Sequence, residues 1–170
     1  MSKTLYLVRH AHTESHSMAK PDFERELDNQ GLQEAEKIGE KLKRLKVNPQ
    51  VILASPAFRT TKTAKLIANK LDINPAAIIY PEGLYHADPG TYLEYLADLD
   101  AENQPPVSVM IVGHNPTVSD AAGMFANREM DMPTGTCIKI TFNTDSWAEV
   151  KPANATTEWF EQPNKGWLWS

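Results

Sequence analysis

Three apolar runs in this chain each stop abruptly at polar residues. Leu5-Tyr6-Leu7-Val8 stops at Arg9-His10, Val51-Ile52-Leu53-Ala54 stops at Ser55-Pro56, and residues 107–112 stop at Gly113-His114-Asn115-Pro116. Short runs of Val, Ile and Leu suit strands buried on both faces, as in a parallel sheet. Helical patterns separate them. Leu32, Ala35, Ile38, Leu42 and Leu45 recur at helical spacing, with Asp28 or Asn29 able to cap. Ser55-Pro56 offers an N-cap and a first helical position for a helix to about Leu71, with Phe58, Thr61, Ala64, Ala68 and Leu71 on one face. A short helix is predicted over 91–99. Another opens at Pro116, capped by Asn115, and runs to about Ala126. Strands alternating with helices dictate an α/β sheet with helices on both faces.

The remaining segments are less strongly patterned. Ile78-Ile79-Tyr80 reads as a weak strand, 81–90 as a loop, and 136–142 and 147–151 as strands near a sheet edge. Residues 152–170 are less regular, and Trp159, Trp167 and Trp169 are expected to pack back over the domain. No composition shift splits the 170 residues, so a single domain over 1–170 is expected. The net charge of −5 argues against a nucleic-acid surface, which needs clustered Lys and Arg. The single cysteine, Cys137, rules out an internal disulfide and reads as a small apolar residue in a strand. No apolar stretch is long enough for a membrane span or signal peptide. The expectation is a cytoplasmic protein, a monomer, with no membrane or nucleic-acid partner.

If the three strands are parallel neighbours, their polar ends converge at one edge of the sheet, where open α/β sheets bind ligands. Two arginines, two histidines and two helix N-termini then meet. Each residue alone has an ordinary structural reading, as a loop pair, a solvated helix arginine or a capping histidine. Together they suit a phosphoryl group. Arg presents a planar fork to phosphate oxygens, and helix N-termini add free N–H groups. A neutral imidazole can attack phosphorus if its other ring nitrogen donates to a carbonyl.

Leu7-Val8-Arg9-His10-Ala11, the stretch Ser55-Pro56-Ala57-Phe58-Arg59-Thr60-Thr61-Lys62-Thr63-Ala64, and Val112-Gly113-His114-Asn115-Pro116 resemble three signatures of the histidine phosphatase (phosphoglycerate-mutase-like) superfamily. The resemblance covers roughly residues 4–125. The short chain and the Arg-His-Ala form are most similar to its SixA-like phosphohistidine phosphatase branch. The resemblance implies a three-layer α/β/α sandwich with a mostly parallel central sheet, and no metal or cofactor. It implies that His10 is the nucleophile, that Arg9, Arg59 and His114 hold the phosphoryl oxygens, and that Thr13 hydrogen-bonds phosphate. His16 stands where many relatives have Asn.

One departure bears on the substrate. Mutases and many phosphatases of this superfamily carry a general-acid Glu in a Leu-x-Glu segment, and here Leu84-Tyr85-His86 occupies that place, with Glu82 and Asp88 out of register. An alkoxide leaving group needs a proton as it departs. A protonated phosphohistidine instead releases neutral imidazole, whose conjugate acid has a pKa of about 6.5. The favoured substrate is therefore a phosphohistidine on another protein. The alternatives are a small-molecule phosphomonoester with His86 or Glu82 as acid, and a non-catalytic phospholigand-binding module. A metal hydrolase using His10-Ala11-His12 is disfavoured, because no carboxylate sits at H-E-x-x-H spacing from a second histidine.

Overall fold

In the computed structural model, which describes residues 2–164, the chain folds around one five-stranded sheet. The strands are β1 (Lys3–Arg9), β2 (Val51–Ala54), β3 (Ser108–Gly113), β4 (Cys137–Phe142) and β5 (Ala155–Glu161), in the order β2-β3-β1-β4-β5. β2, β3 and β1 run parallel, whereas β4 pairs antiparallel with β1 and β5 antiparallel with β4. Four helices flank the sheet: α1 (Asn29–Arg44), α2 (Phe58–Lys70), α3 (Pro89–Asp98) and α4 (Thr117–Ala126).

Strand side chains alternate between the two faces. Leu5, Leu7, Val109 and Ile111 point to one face and pack with Tyr92 and Leu96 of α3 and Val118, Ala122 and Phe125 of α4. Tyr6, Val8, Met110 and Val112 point to the other and pack with Ile38 and Leu42 of α1 and Ala64, Ile67 and Ala68 of α2. The result is the expected three-layer α/β/α sandwich, with its parallel half built from the three apolar runs.

Asp28 caps α1, its carboxylate accepting from the Gly31 N–H at 2.8 Å. The helical stripes are narrower than expected. Leu32 is 36% exposed and Phe58 44%, while Thr60, Thr63 and Ile67 are buried on α2 instead. The α2 N-cap is Ala57, not Ser55, because the chain bends through Pro56 and Ala57 before the helix begins at Phe58. The α4 N-cap is Pro116, not Asn115, and the Asn115 side-chain oxygen accepts from the Ser119 hydroxyl at 2.7 Å.

Three weak segments depart further. Ile78-Ile79-Tyr80 forms no strand, only an isolated bridge between Ile79 and Leu53. Residues 147–149 form a 3-10 turn, since Trp147 is buried and its indole N–H donates to the Pro106 carbonyl at 2.7 Å. The edge strand lies later, in Ala155–Glu161, inside the segment read as irregular. Trp159 packs on Tyr6 with ring centroids 6.0 Å apart, while Trp167 and Trp169 lie outside the described residues. Among the described residues, no helix is long and apolar enough to cross a membrane.

Candidate active site

The carboxyl ends of β1, β2 and β3 lie side by side and carry Arg9-His10, Ser55 and Gly113-His114. Backbone bonds continue just past the strand ends. The His10 N–H donates to the Gly113 carbonyl and the Ser55 N–H to the Val112 carbonyl, both at 3.1 Å. The threonines of α2 tie the same edge down. The Thr63 hydroxyl donates to the Arg59 carbonyl at 2.7 Å and accepts from the Ala11 N–H at 3.0 Å. Thr60 donates to the Ser55 carbonyl at 2.7 Å.

His10 is 8% exposed, and its Nδ1 lies 2.7 Å from the Ala11 carbonyl oxygen. A carbonyl only accepts, so the proton sits on Nδ1 and the lone pair on Nε2. The His10 and His114 rings are 5.5 Å apart. His114 Nε2 lies 2.8 Å from the Ser55 hydroxyl. The hydroxyl read as a helix cap is thus a partner of the second histidine.

Three arginines surround these rings, one more than the strand ends supply. Arg9 donates to the Met132 carbonyl at 2.9 Å. Arg59, 6% exposed, donates to the Asp22 carbonyl at 2.8 Å and to its carboxylate at 3.0 Å. Arg25 donates to the Asp22 carboxylate at 3.0 Å and to the Thr13 hydroxyl at 2.8 Å. Arg9 Nε, Arg59 Nε and His114 Nδ1 are buried with no protein partner. Buried polar atoms are normally satisfied, so these three, gathered near one sheet edge, call for an explanation. Two cationic edges and an imidazole suit an anion.

Burial, reinforced by the charges of Arg59, Arg9 and Arg25, pushes His10 down to about 4. Burial and Arg59 push His114 down to about 3. Both rings are therefore neutral at pH 7. In the unfolded chain each would take a proton near pH 6.5, so between about 6.5 and 4 the unfolded chain binds more protons than the folded one. Stability is then lost as pH falls through that window. Each ring should contribute a loss of about 2 kcal/mol between pH 7 and pH 5. Urea melts at the two pH values measure it. A His10→Asn/His114→Asn double variant should show a much flatter response. An equally steep loss in that variant would assign the acid sensitivity elsewhere.

The remaining candidates lie at the rim. The Thr13 hydroxyl is engaged by Arg25. His86 is exposed, with its ring 4.2 Å from that of Tyr85, which in turn lies 5.7 Å from His114. The Tyr85 hydroxyl donates to the Asp22 carboxylate at 2.6 Å. Glu82 and His16 are exposed, and Asp88 caps α3 by accepting from the Thr91 N–H at 2.9 Å. Asp22, Arg25 and Tyr85 are the site residues that sequence reading missed. Asp22 and Arg25 lie in an irregular stretch with no periodicity, and their i, i+3 spacing is the only signal there. Among the described residues, no group of three or more His, Cys, Asp or Glu is placed to hold a metal ion.

Comparison with known proteins bears on this geometry. The family model of the histidine phosphatase superfamily (branch 1) matches residues 5–123. An uncharacterised chloroplastic protein of Arabidopsis thaliana is 27% identical over 164 residues, covering 94% of this chain and 75% of its own length. A candidate phosphohistidine phosphatase SixA from Agrobacterium tumefaciens is 26% identical, with a TM-score of 0.77 over 95% of this chain and 99% of that one. A mycobacterial glucosyl-3-phosphoglycerate phosphatase shares the fold at 12% identity, with a TM-score of 0.68 over 92% of this chain and 97% of that one.

Proposed function

Because the chain belongs to the histidine phosphatase superfamily, and is a phosphatase by that membership, we propose that it removes the phosphoryl group from phosphohistidine in another protein through an intermediate on His10. The observation that carries this reading is the His10 tautomer. Nδ1 is held on the Ala11 carbonyl at 2.7 Å, which leaves the Nε2 lone pair for attack. The lone pair forms an N–P bond as the substrate's N–P bond breaks, and the departing imidazole leaves neutral once it carries a proton. Water then attacks the phosphorus of phospho-His10, releasing inorganic phosphate and restoring the imidazole. Arg9, Arg59 and His114 spread the charge on the transferring oxygens, with Arg25 and Thr13 behind them.

The substrate assignment rests on the leaving-group side. Relatives of this fold include an ester phosphatase, so the fold alone does not choose. The Tyr85 hydroxyl donates to the Asp22 carboxylate at 2.6 Å, so its proton is committed there rather than to a leaving group. Asp88 is committed to its helix cap. His86 is exposed at the rim and serves as a contact for the substrate rather than as an acid. A nitrogen leaving group requires no such acid.

A phosphotransfer domain carrying labelled phosphohistidine tests this. The wild type should strip the label, and His86→Ala should retain that activity within about fivefold, since it removes a contact and not a proton donor. Slow release of that label alongside rapid hydrolysis of a sugar phosphate, with a basic limb in the pH–rate profile that vanishes in His86→Ala or Glu82→Ala, would make the protein an ester phosphatase.

A further inference from the structure

The Asp22 carboxylate is the hub of the pocket. One oxygen accepts from Arg25 Nε at 3.0 Å; the other accepts from Arg59 Nη2 at 3.0 Å and from the Tyr85 hydroxyl at 2.6 Å. Its backbone carbonyl takes the second terminal nitrogen of Arg59 at 2.8 Å. Arg59 is thus clamped through both terminal nitrogens, which leaves the Nε edge as its unpaired face. Phe23, the next residue, braces the clamp against Tyr85, with centroids 5.0 Å apart at 89°, and against Phe58 at 6.0 Å. Glu34 and Asp131 act on Arg9 through space, but Glu34 is bonded to the His12 N–H and Thr134, and Asp131 is exposed. Among the described residues, Asp22 is the carboxylate bonded to two of the three guanidinium groups.

Resting on the phosphoryl-binding role given to these arginines above, we propose that Asp22 is a positioning residue: by bridging Arg25 and Arg59 it aligns both guanidinium groups for the transferring phosphoryl and offsets enough of their charge for inorganic phosphate to leave. Three arginines and one bridging carboxylate amount to two positive charges, matched to a phosphate dianion. Removing the carboxylate charge raises the attraction for bound phosphate, while loosening the geometry that the transition state needs. Ground-state binding and turnover should therefore move in opposite directions, which a general loss of structure would not produce. Hydrogen bonds from Tyr85, Arg25 and Arg59 hold the Asp22 carboxyl far below the ordinary range, so it is ionised throughout the working pH and takes no part as an acid.

Asp22→Asn is the test, read by calorimetric titration with inorganic phosphate and by turnover of the labelled phosphotransfer domain. Phosphate should bind about threefold to tenfold more tightly than to the wild type, while kcat falls on the order of 10- to 100-fold. Unchanged kcat, or phosphate binding that weakens in step with kcat, overturns the proposal. Arg25→Lys breaks the same bridge without adding charge. It should lower kcat about tenfold without the tighter phosphate binding expected of Asp22→Asn, and combining the two should cost no more turnover than the larger alone. If Asp22→Asn does not fold, Arg25→Lys decides, and full turnover in that variant refutes the bridge. A wild type inactive on phosphohistidine bears on the substrate reading alone, because turnover is then read on an aryl phosphate and the phosphate titration needs no substrate.

Discussion

His10→Ala should abolish turnover and covalent labelling together. The imidazole is the nucleophile of the proposed reaction, so its loss removes the intermediate rather than slowing one step. The expected fall in kcat is on the order of 10,000-fold or more, the scale seen when a nucleophile is deleted from an otherwise intact site. The fold should survive, since His10 contributes one carbonyl contact and a ring against His114. Rapid quenching of the wild type with a labelled substrate should trap a label that acid releases and base retains, as a phosphoramidate behaves. A variant that keeps turning over, or a trapped label stable to acid, would place the chemistry on another group.

Arg59→Ala should be the second largest loss. The side chain reaches the pocket from the first turn of α2, buried, with both terminal nitrogens on Asp22 and its Nε unpaired. Truncation removes a charge-assisted donor from the phosphoryl and leaves the Asp22 carboxylate with Tyr85 and Arg25 alone. A fall in kcat/KM on the order of 1,000-fold is expected, since lost charge stabilisation and lost alignment act together. Stability should fall by about 1–3 kcal/mol, because a carboxylate loses a buried partner. Arg59→Lys should not rescue activity, since a single ammonium cannot clamp Asp22 at two points and present a third nitrogen. Steady-state kinetics beside denaturant melts separate the two effects. Wild-type kcat/KM in Arg59→Lys would show that charge alone suffices.

Much of this site was legible in sequence because its pieces follow apolar strands. Each parallel strand is buried on both faces, so it reads as an unbroken Val, Ile and Leu run, and its end is marked by the first polar residue. That logic found Arg9, His10, Arg59 and His114. It failed wherever the chain lacks a period. Asp22 opens a 3-10 turn only three residues long, with Arg25 just past its end, too brief to show one. The edge strand Ala155–Glu161 alternates between partly buried and exposed positions over its first five residues and carries two threonines and two glutamates, so its apolar content is low. Trp147 and Val150 mimic a strand through hydrophobicity but belong to the core under α3. Ser55 followed by Pro56 carried a helix-start signal, yet its hydroxyl serves His114, a tertiary contact that local sequence does not encode.

The ladder bonds that run one residue beyond β1 and β2 have a consequence for the energetics of the reaction. His10 hangs from its main-chain N–H on Gly113, and Ser55 from Val112, inside the most buried stretch of the sheet. Displacing the nucleophile would require parting the two central strands, an event on the scale of global unfolding. With the ring further held by Nδ1 on the Ala11 carbonyl, most of the positional freedom of the imidazole is thus lost when the protein folds, and little is left to lose when a substrate arrives.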